Sequence, residues 1–231
     1  MDGETPADPD NPTGSRGQII ELRAGGAGTL DGMSRWSYDG TELPLSAHDV
    51  QTAQVTTRDI DRGEYPHFLL KEITASPSSF RKTLRGKLVE DSDGHMRVVL
   101  GPDTLPDDVR AGLSTSRIDR VLVIGQGTAA IAGQSLAHHL TDFLAESEVR
   151  VEALLATELS GFHLRSDMSD TLVVAISQSG TTTDTNRTVD LVRSRGASVI
   201  AIVNRRGSDL TDKSDGVLYT SDGRDVEMSV A

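Results

Sequence analysis

Eight consecutive residues, Ser177-Gln178-Ser179-Gly180-Thr181-Thr182-Thr183-Asp184, place five hydroxyls and one side-chain amide around a single glycine. Hydroxyls and backbone N–H groups at a helix start can satisfy the oxygens of a phosphate without any Lys or Arg. Ordinary capping draws on the same residue types. One Ser or Thr suffices for an N-cap, and Asp184 suits a first helical turn. On this loop alone, an anion cradle and a capped helix both stand.

A second loop, Gly125-Gln126-Gly127-Thr128-Ala129-Ala130, has glycines that let a ligand approach the backbone, again at a helix start. It fits G-x-G-x-x-A, the fingerprint of dinucleotide sites, but a lone fingerprint is a weak signal. That reading needs an acid at the end of the next strand, about 20 residues on. Glu152 falls in mid-strand and Glu158 in the helical stretch beyond it.

The elements that position these loops follow from periodicity. Short apolar runs at 121–124, 149–155, 172–176, 198–203 and 216–219 read as strands. Helical stretches near 130–145, from Thr157, to about Arg195 and at 208–214 separate them. Such alternation predicts an α/β fold: a three-layer, doubly wound, parallel five-stranded sheet that binds ligands beyond its strands' carboxyl ends.

Upstream, 1–17 is acidic and rich in Pro and Gly, and is expected to be disordered. Residues 18–62 read as a short strand-rich remnant, with strands at 18–22 and 50–57. Linker helices and the entry to the sheet domain occupy 63–117, and the sheet domain runs over 118–231. Within the linker, Pro77 is expected to divide 65–87 into two helices, the first with an apolar face of Phe68, Leu69 and Ile73, the second carrying Phe80 and Leu84. A short strand at 97–100 and a helix at 106–113 complete it.

Composition narrows the function classes. The chain has 231 residues, 36% hydrophobic and 25% charged, with a net charge of -12. That field repels polyanions, so nucleic acid is not an expected partner. There is no cysteine, hence no disulfide, thiolate metal site or thiol nucleophile. No apolar run approaches the ~20 residues of a membrane span, and a cytoplasmic location with no cofactor is the expectation.

The order and wording of these loops resemble the glutamine:fructose-6-phosphate aminotransferase (glucosamine-6-phosphate synthase) family, and within it the first SIS (sugar isomerase) domain. The matching residues are Gly127-Thr128, Glu158, Ser177-Gln178-Ser179-Gly180, Thr182, Asp184-Thr185, Asn204, Ser208, Leu210, Glu227 and Val230-Ala231. Upstream, Tyr65, His67, Lys71-Glu72-Ile73 and Pro77 are similar to that family's linker helix, and Gly17 to Leu22 weakly resembles the end of its glutaminase domain.

The resemblance implies that Ser177, Gln178, Ser179 and Thr182 hold the phosphate and sugar hydroxyls of fructose 6-phosphate or glucosamine 6-phosphate, with Gly127 and Gly180 shaping the loops. It places Thr128 in the same pocket, approached by Val230 and Ala231. No catalytic residue and no metal ligand is implied within the chain. Both loops depart from the family: Gln126 and Ala129 flank Gly127-Thr128 where Cys and Ser are usual, and Thr181 replaces a Glu. The resemblance also implies a fragment of a longer, homodimeric enzyme, inactive by itself because the glutaminase cysteine and the isomerising groups are absent. A sugar-phosphate-sensing SIS module is the alternative, although the upstream region lacks the basic helices of a DNA-binding domain.

The remaining candidates have plainer readings. His138 and His139 are expected to be solvated or core residues rather than metal ligands. His67 reads as a packing residue and His163 as a packing or subunit-contact residue, while the acids over 209–222 read as a solvated face. Trp36 is assigned no role.

Overall fold

In a computed structural model, residues 18–37, 40–50 and 61–223 are described. The chain divides into two compact units, Met1–Ala53 and Gln54–Ala231. In the first, β1 (Gln18–Leu22) and β2 (Met33–Ser37) form an antiparallel hairpin in which Ile20 faces Arg35. The expected disordered tail lies outside the described residues, as does the expected strand at 50–57 apart from Val50.

The second unit opens with α1 (Phe68–Leu84), one continuous helix containing Pro77 rather than the expected pair. Proline removes a single donor and crowds the preceding turn. The hydroxyls beside it bond back onto the same helix, Ser76 Oγ donating to Glu72 O at 3.1 Å and Ser78 Oγ to Ala75 O at 2.8 Å. The apolar face expected on this helix is not packed away: Leu69 is 49% and Ile73 56% exposed. A small hairpin, β3 (Leu88–Glu90) with β4 (Met96–Val98), and helix α2 (Asp107–Ser114) lead into the sheet.

Then come β5 (Arg120–Gly125), α3 (Thr128–Phe143), β6 (Arg150–Leu155), the short α4 (Ala156–Glu158) with a π-turn over Leu159–His163, and β7 (Thr171–Ser177). They are followed by α5 (Thr183–Arg193), β8 (Ser198–Val203), α6 (Asp209–Asp212) and β9 (Gly216–Tyr219). All neighbouring strands of the sheet pair parallel, in the order β6-β5-β7-β8-β9. This is the expected five-stranded parallel sheet.

Alternation along each strand feeds two cores, because successive side chains leave opposite faces. Leu122, Ile124, Val173, Ala175, Val199 and Ala201 pack with Val189 and Val192 of α5 and Leu210 of α6. Val121, Val123, Leu172, Val174 and Ile200 pack on the other face with Val109 of α2 and Ala137 of α3. The result is three layers with the sheet in the middle. The connection into β7 is pinned at its base by Arg165, whose Nη1 donates to Asp170 Oδ2 at 2.9 Å while Nη2 bonds Asp170 Oδ1. That guanidinium holds the Asp170 carboxyl below its ordinary range, with burial opposing it.

Candidate functional site

In sequence order the sheet runs second, first, third, fourth, fifth, so the direction in which strands are added across it reverses between β5 and β7. Open parallel sheets bind ligands in the crevice that such a reversal leaves beyond the carboxyl ends of the strands. The two loops singled out in the sequence sit there: 126–127 follows β5 and 178–182 follows β7. Between them opens a cleft of about 350 Å³ whose lining includes Thr128, Ser177, Gln178, Ser179 and Thr182. The structure therefore brings five predicted site residues to one cavity. Val230 and Ala231 lie outside the described residues.

The loop after β7 is held by its own hydroxyls. Ser177 Oγ, on a residue only 4% exposed, accepts from Gly180 N at 3.1 Å and lies 3.4 Å from Thr182 Oγ1. Ser179 Oγ accepts from Thr181 N at 3.3 Å and pairs with Thr181 Oγ1 at 3.0 Å. The loop's carbonyls turn to the protein: Gln178 O accepts from the backbone N–H groups of Asn204 and Arg205, and Gly180 O from that of Leu210. Gly180 has φ +67°, and a Cβ there would meet Ser208 Oγ at 2.0 Å. Only glycine fits that turn.

Two helix amino termini border the cleft without side-chain caps. The N-cap of α5 is Thr182 and that of α3 is Gly127 (φ 56°, ψ -129°), and neither makes a side-chain capping bond. This bears on the choice between capping and ligand binding, since the hydroxyl cluster does not serve α5 as its cap. Helix amino termini attract anions. None of the described residues lining the cleft is charged. Its donors are hydroxyls, amides and helix ends, and the side over Ala129, Ala132, Ile176 and Ile202 is apolar.

The dinucleotide reading fares less well. Glu152 pairs in register with Leu122, well short of the strand end, and is 3.2 Å from Arg120 in an ion pair. Gly125 and Leu155 close that ladder, so an apolar side chain stands where the ribose-binding acid belongs. Glu158 is exposed on α4 and does not line the cleft.

Other candidates take plain places. His138 and His139 are exposed on α3, their rings 6.0 Å apart, and His163 is exposed at the end of the π-turn. His67 is the N-cap of α1, and Trp36 lies on β2. Asp91, Asp93 and His95 converge in the β3–β4 turn, a grouping the sequence reading did not single out. Asp91 is already engaged there, accepting from the backbone of Asp93 and His95 and from Arg97 Nε.

Gln126, Asn204 and Thr220 also line the cleft, and the sequence reading gave none of them a ligand role. The signal was positional. Each follows the carboxyl end of a strand (β5, β8 and β9), where this architecture places its sites.

Comparison with known proteins bears on the family and the fold. Glutamine--fructose-6-phosphate aminotransferase (isomerizing) of Streptomyces coelicolor is 33% identical over 215 residues, covering 92% of this chain and 31% of that one. Its namesake in Mycolicibacterium paratuberculosis is 38% identical over 204 residues, covering 87% and 30%. The chain thus spans about a third of the length of these curated relatives. Among solved structures, the C-terminal domain of glucosamine-fructose-6-phosphate aminotransferase from Francisella tularensis superposes with a TM-score of 0.58 at 25% identity, covering 74% of this chain and 43% of that one. Glucosamine-6-phosphate deaminase from Thermotoga maritima shares the fold, with a TM-score of 0.50 at 20% identity over 71% and 43%. The profile of the SIS domain matches residues 114–231, half of the chain, and with the parallel sheet and its cleft this shows that the chain belongs to the SIS domain family.

Proposed function

We propose that the cleft between the β5 and β7 loops binds a phosphorylated sugar, fructose 6-phosphate or glucosamine 6-phosphate. In this reading Ser177, Ser179 and Thr182 hold the phosphate at the amino terminus of α5, and Gln178 and Thr128 contact the sugar. The observation that carries it is the hydroxyl cluster itself, gathered in one cleft at an N-terminus that it does not cap. Uncharged donors can bind a phosphate because each N–H and O–H points at it and the helix dipole adds partial positive charge.

The proposed parent activity is glutamine-dependent conversion of fructose 6-phosphate to glucosamine 6-phosphate, for which this chain supplies the sugar-phosphate site. With no cysteine, it cannot itself supply a thiol nucleophile for glutamine hydrolysis. Homodimerisation and a cytoplasmic setting belong to the same proposal. Among the described residues, no helix is long and apolar enough to cross a membrane.

Thermal unfolding with added ligand tests the reading. A ligand at 100 times its Kd adds about 2.7 kcal/mol of stability. Millimolar fructose 6-phosphate or glucosamine 6-phosphate is expected to raise Tm, and NAD to leave it unchanged. A rise with NAD and none with either sugar phosphate would support the dinucleotide reading instead.

A further inference from the structure

The phosphate loop is shaped by a residue that does not line the cleft. Asn186, on the first turns of α5, is 6% exposed. Its Nδ2 donates to Gly180 O at 3.0 Å and to Thr182 O at 3.2 Å, and its backbone N donates to Thr182 O at 3.0 Å. One side-chain amide therefore holds two carbonyls of the loop.

Orientation is what this clamp controls. A trans peptide points its C=O and N–H in opposite directions. Drawing Gly180 O toward Asn186 turns the Thr181 N–H the other way, where it donates to Ser179 Oγ at 3.3 Å. Gly180, at φ +67° and with no Cβ, has more freedom to rotate its peptides than any other residue type. Were the Gly180–Thr181 peptide reversed, Ser179 Oγ, on a residue that lines the cleft, would lose its donor and meet a carbonyl oxygen instead. Leu210 N also reaches Gly180 O at 3.1 Å, but it comes from the short helix α6, whereas Asn186 ties Gly180 O to the helix α5 that the loop opens.

We propose that Asn186 is a positioning residue for the anion loop, selecting the peptide orientation that presents donors to a phosphate while touching no ligand atom itself. This rests on the phosphate site proposed above. It assigns to Asn186 the discrimination between a phosphorylated sugar and its unphosphorylated counterpart, which packing alone would not confer.

The test compares the wild type with Asn186→Leu and Asn186→Ser by calorimetric titration with glucosamine 6-phosphate, glucosamine and inorganic phosphate. Amide hydrogen exchange is followed at Gly180, Thr181 and Leu210. A serine in a helix can still reach the carbonyl four residues back, here Thr182 O, but is too short for Gly180 O. Both variants are expected to lose on the order of tenfold in affinity for the two phosphate ligands, with glucosamine unaffected. Exchange at Thr181 and Leu210 should quicken in both. A folded variant that keeps wild-type phosphate affinity and wild-type exchange overturns the proposal. So does a loss shared equally by glucosamine, which marks a general packing role. If the wild type binds no phosphate ligand, the site reading fails, and the exchange rates still decide whether Asn186 holds the loop. If the leucine variant does not fold, the serine variant decides.

Discussion

Gln126 Nε2 donates to Asp184 Oδ2 at 3.4 Å, tying the loop after β5 to the first turn of α5. The two loops that border the cleft are thus joined by their side chains. The Asp184 carboxylate also stands at the helix end assigned to the phosphate, where it competes with a bound anion for the positive end of the dipole.

Asp184→Asn keeps a side chain that can pair with Gln126 and removes that charge. Phosphate ligands should bind roughly two- to threefold more tightly at low salt, and the gain should shrink at high ionic strength. Titration at two salt concentrations checks this. Weaker binding at both would mean that the carboxylate serves the ligand directly.

Gly180→Ala places a Cβ 2.0 Å from Ser208 Oγ and 2.6 Å from Ser208 Cβ, at a positive φ. Gly127→Ala meets nothing within 4 Å, although its φ is +56°. The Gly127 variant should lose about 1–3 kcal/mol from backbone strain alone. The Gly180 variant should lose more, and Ser208→Gly should restore part of the difference. Urea unfolding of the single and double variants measures the coupling, and strictly additive losses would show that Ser208 is not the obstacle.

Asp170 carries a pH signature. Its carboxyl lies below the ordinary value of 3.8, chiefly through the hydrogen bond from Arg165. A depressed folded value stabilises the protein above the unfolded value, and that stability is lost as pH falls through the folded one. The pair is partly exposed, so Asp170→Asn should cost only about 1 kcal/mol at pH 7. The gap between wild type and variant should close as pH drops below about 3.8. A gap that stays constant down to acid unfolding would remove Arg165–Asp170 from the account.

Leu122 is fully buried on the central face of β5. Leu122→Ala should destabilise by about 2–5 kcal/mol, through lost burial and the cavity left behind. Chemical denaturation reads this directly, and a loss below about 1 kcal/mol would mean that the surrounding core collapses onto the site.

Much of this molecule was legible because its sheet is buried on both faces. Apolar runs such as 198–203 and 216–219 match β8 and β9 at both ends, since no surface alternation blurs them. Pro77 misled because proline is a local signal that costs one helix bond, and the 17-residue helix around it runs on regardless. In the site, the loop at Ser177 announced itself by composition. Asn186 did not, because an asparagine inside a helix ordinarily signals nothing and its role depends on two carbonyls that only the folded turn brings near. Gln126 was noticed only as a departure from the family, and its bond to Asp184 spans 58 positions of sequence.

The central claim is that neutral hydroxyls in the β7 loop bind a sugar phosphate through its phosphate. Its most direct measurement is calorimetric titration of the wild type and of Ser179→Ala with fructose 6-phosphate and with fructose. The account predicts saturable binding of fructose 6-phosphate, far weaker binding of fructose, and a loss of roughly tenfold for the phosphate ester alone in the variant. Folded wild-type protein that binds fructose 6-phosphate no better than fructose would contradict it.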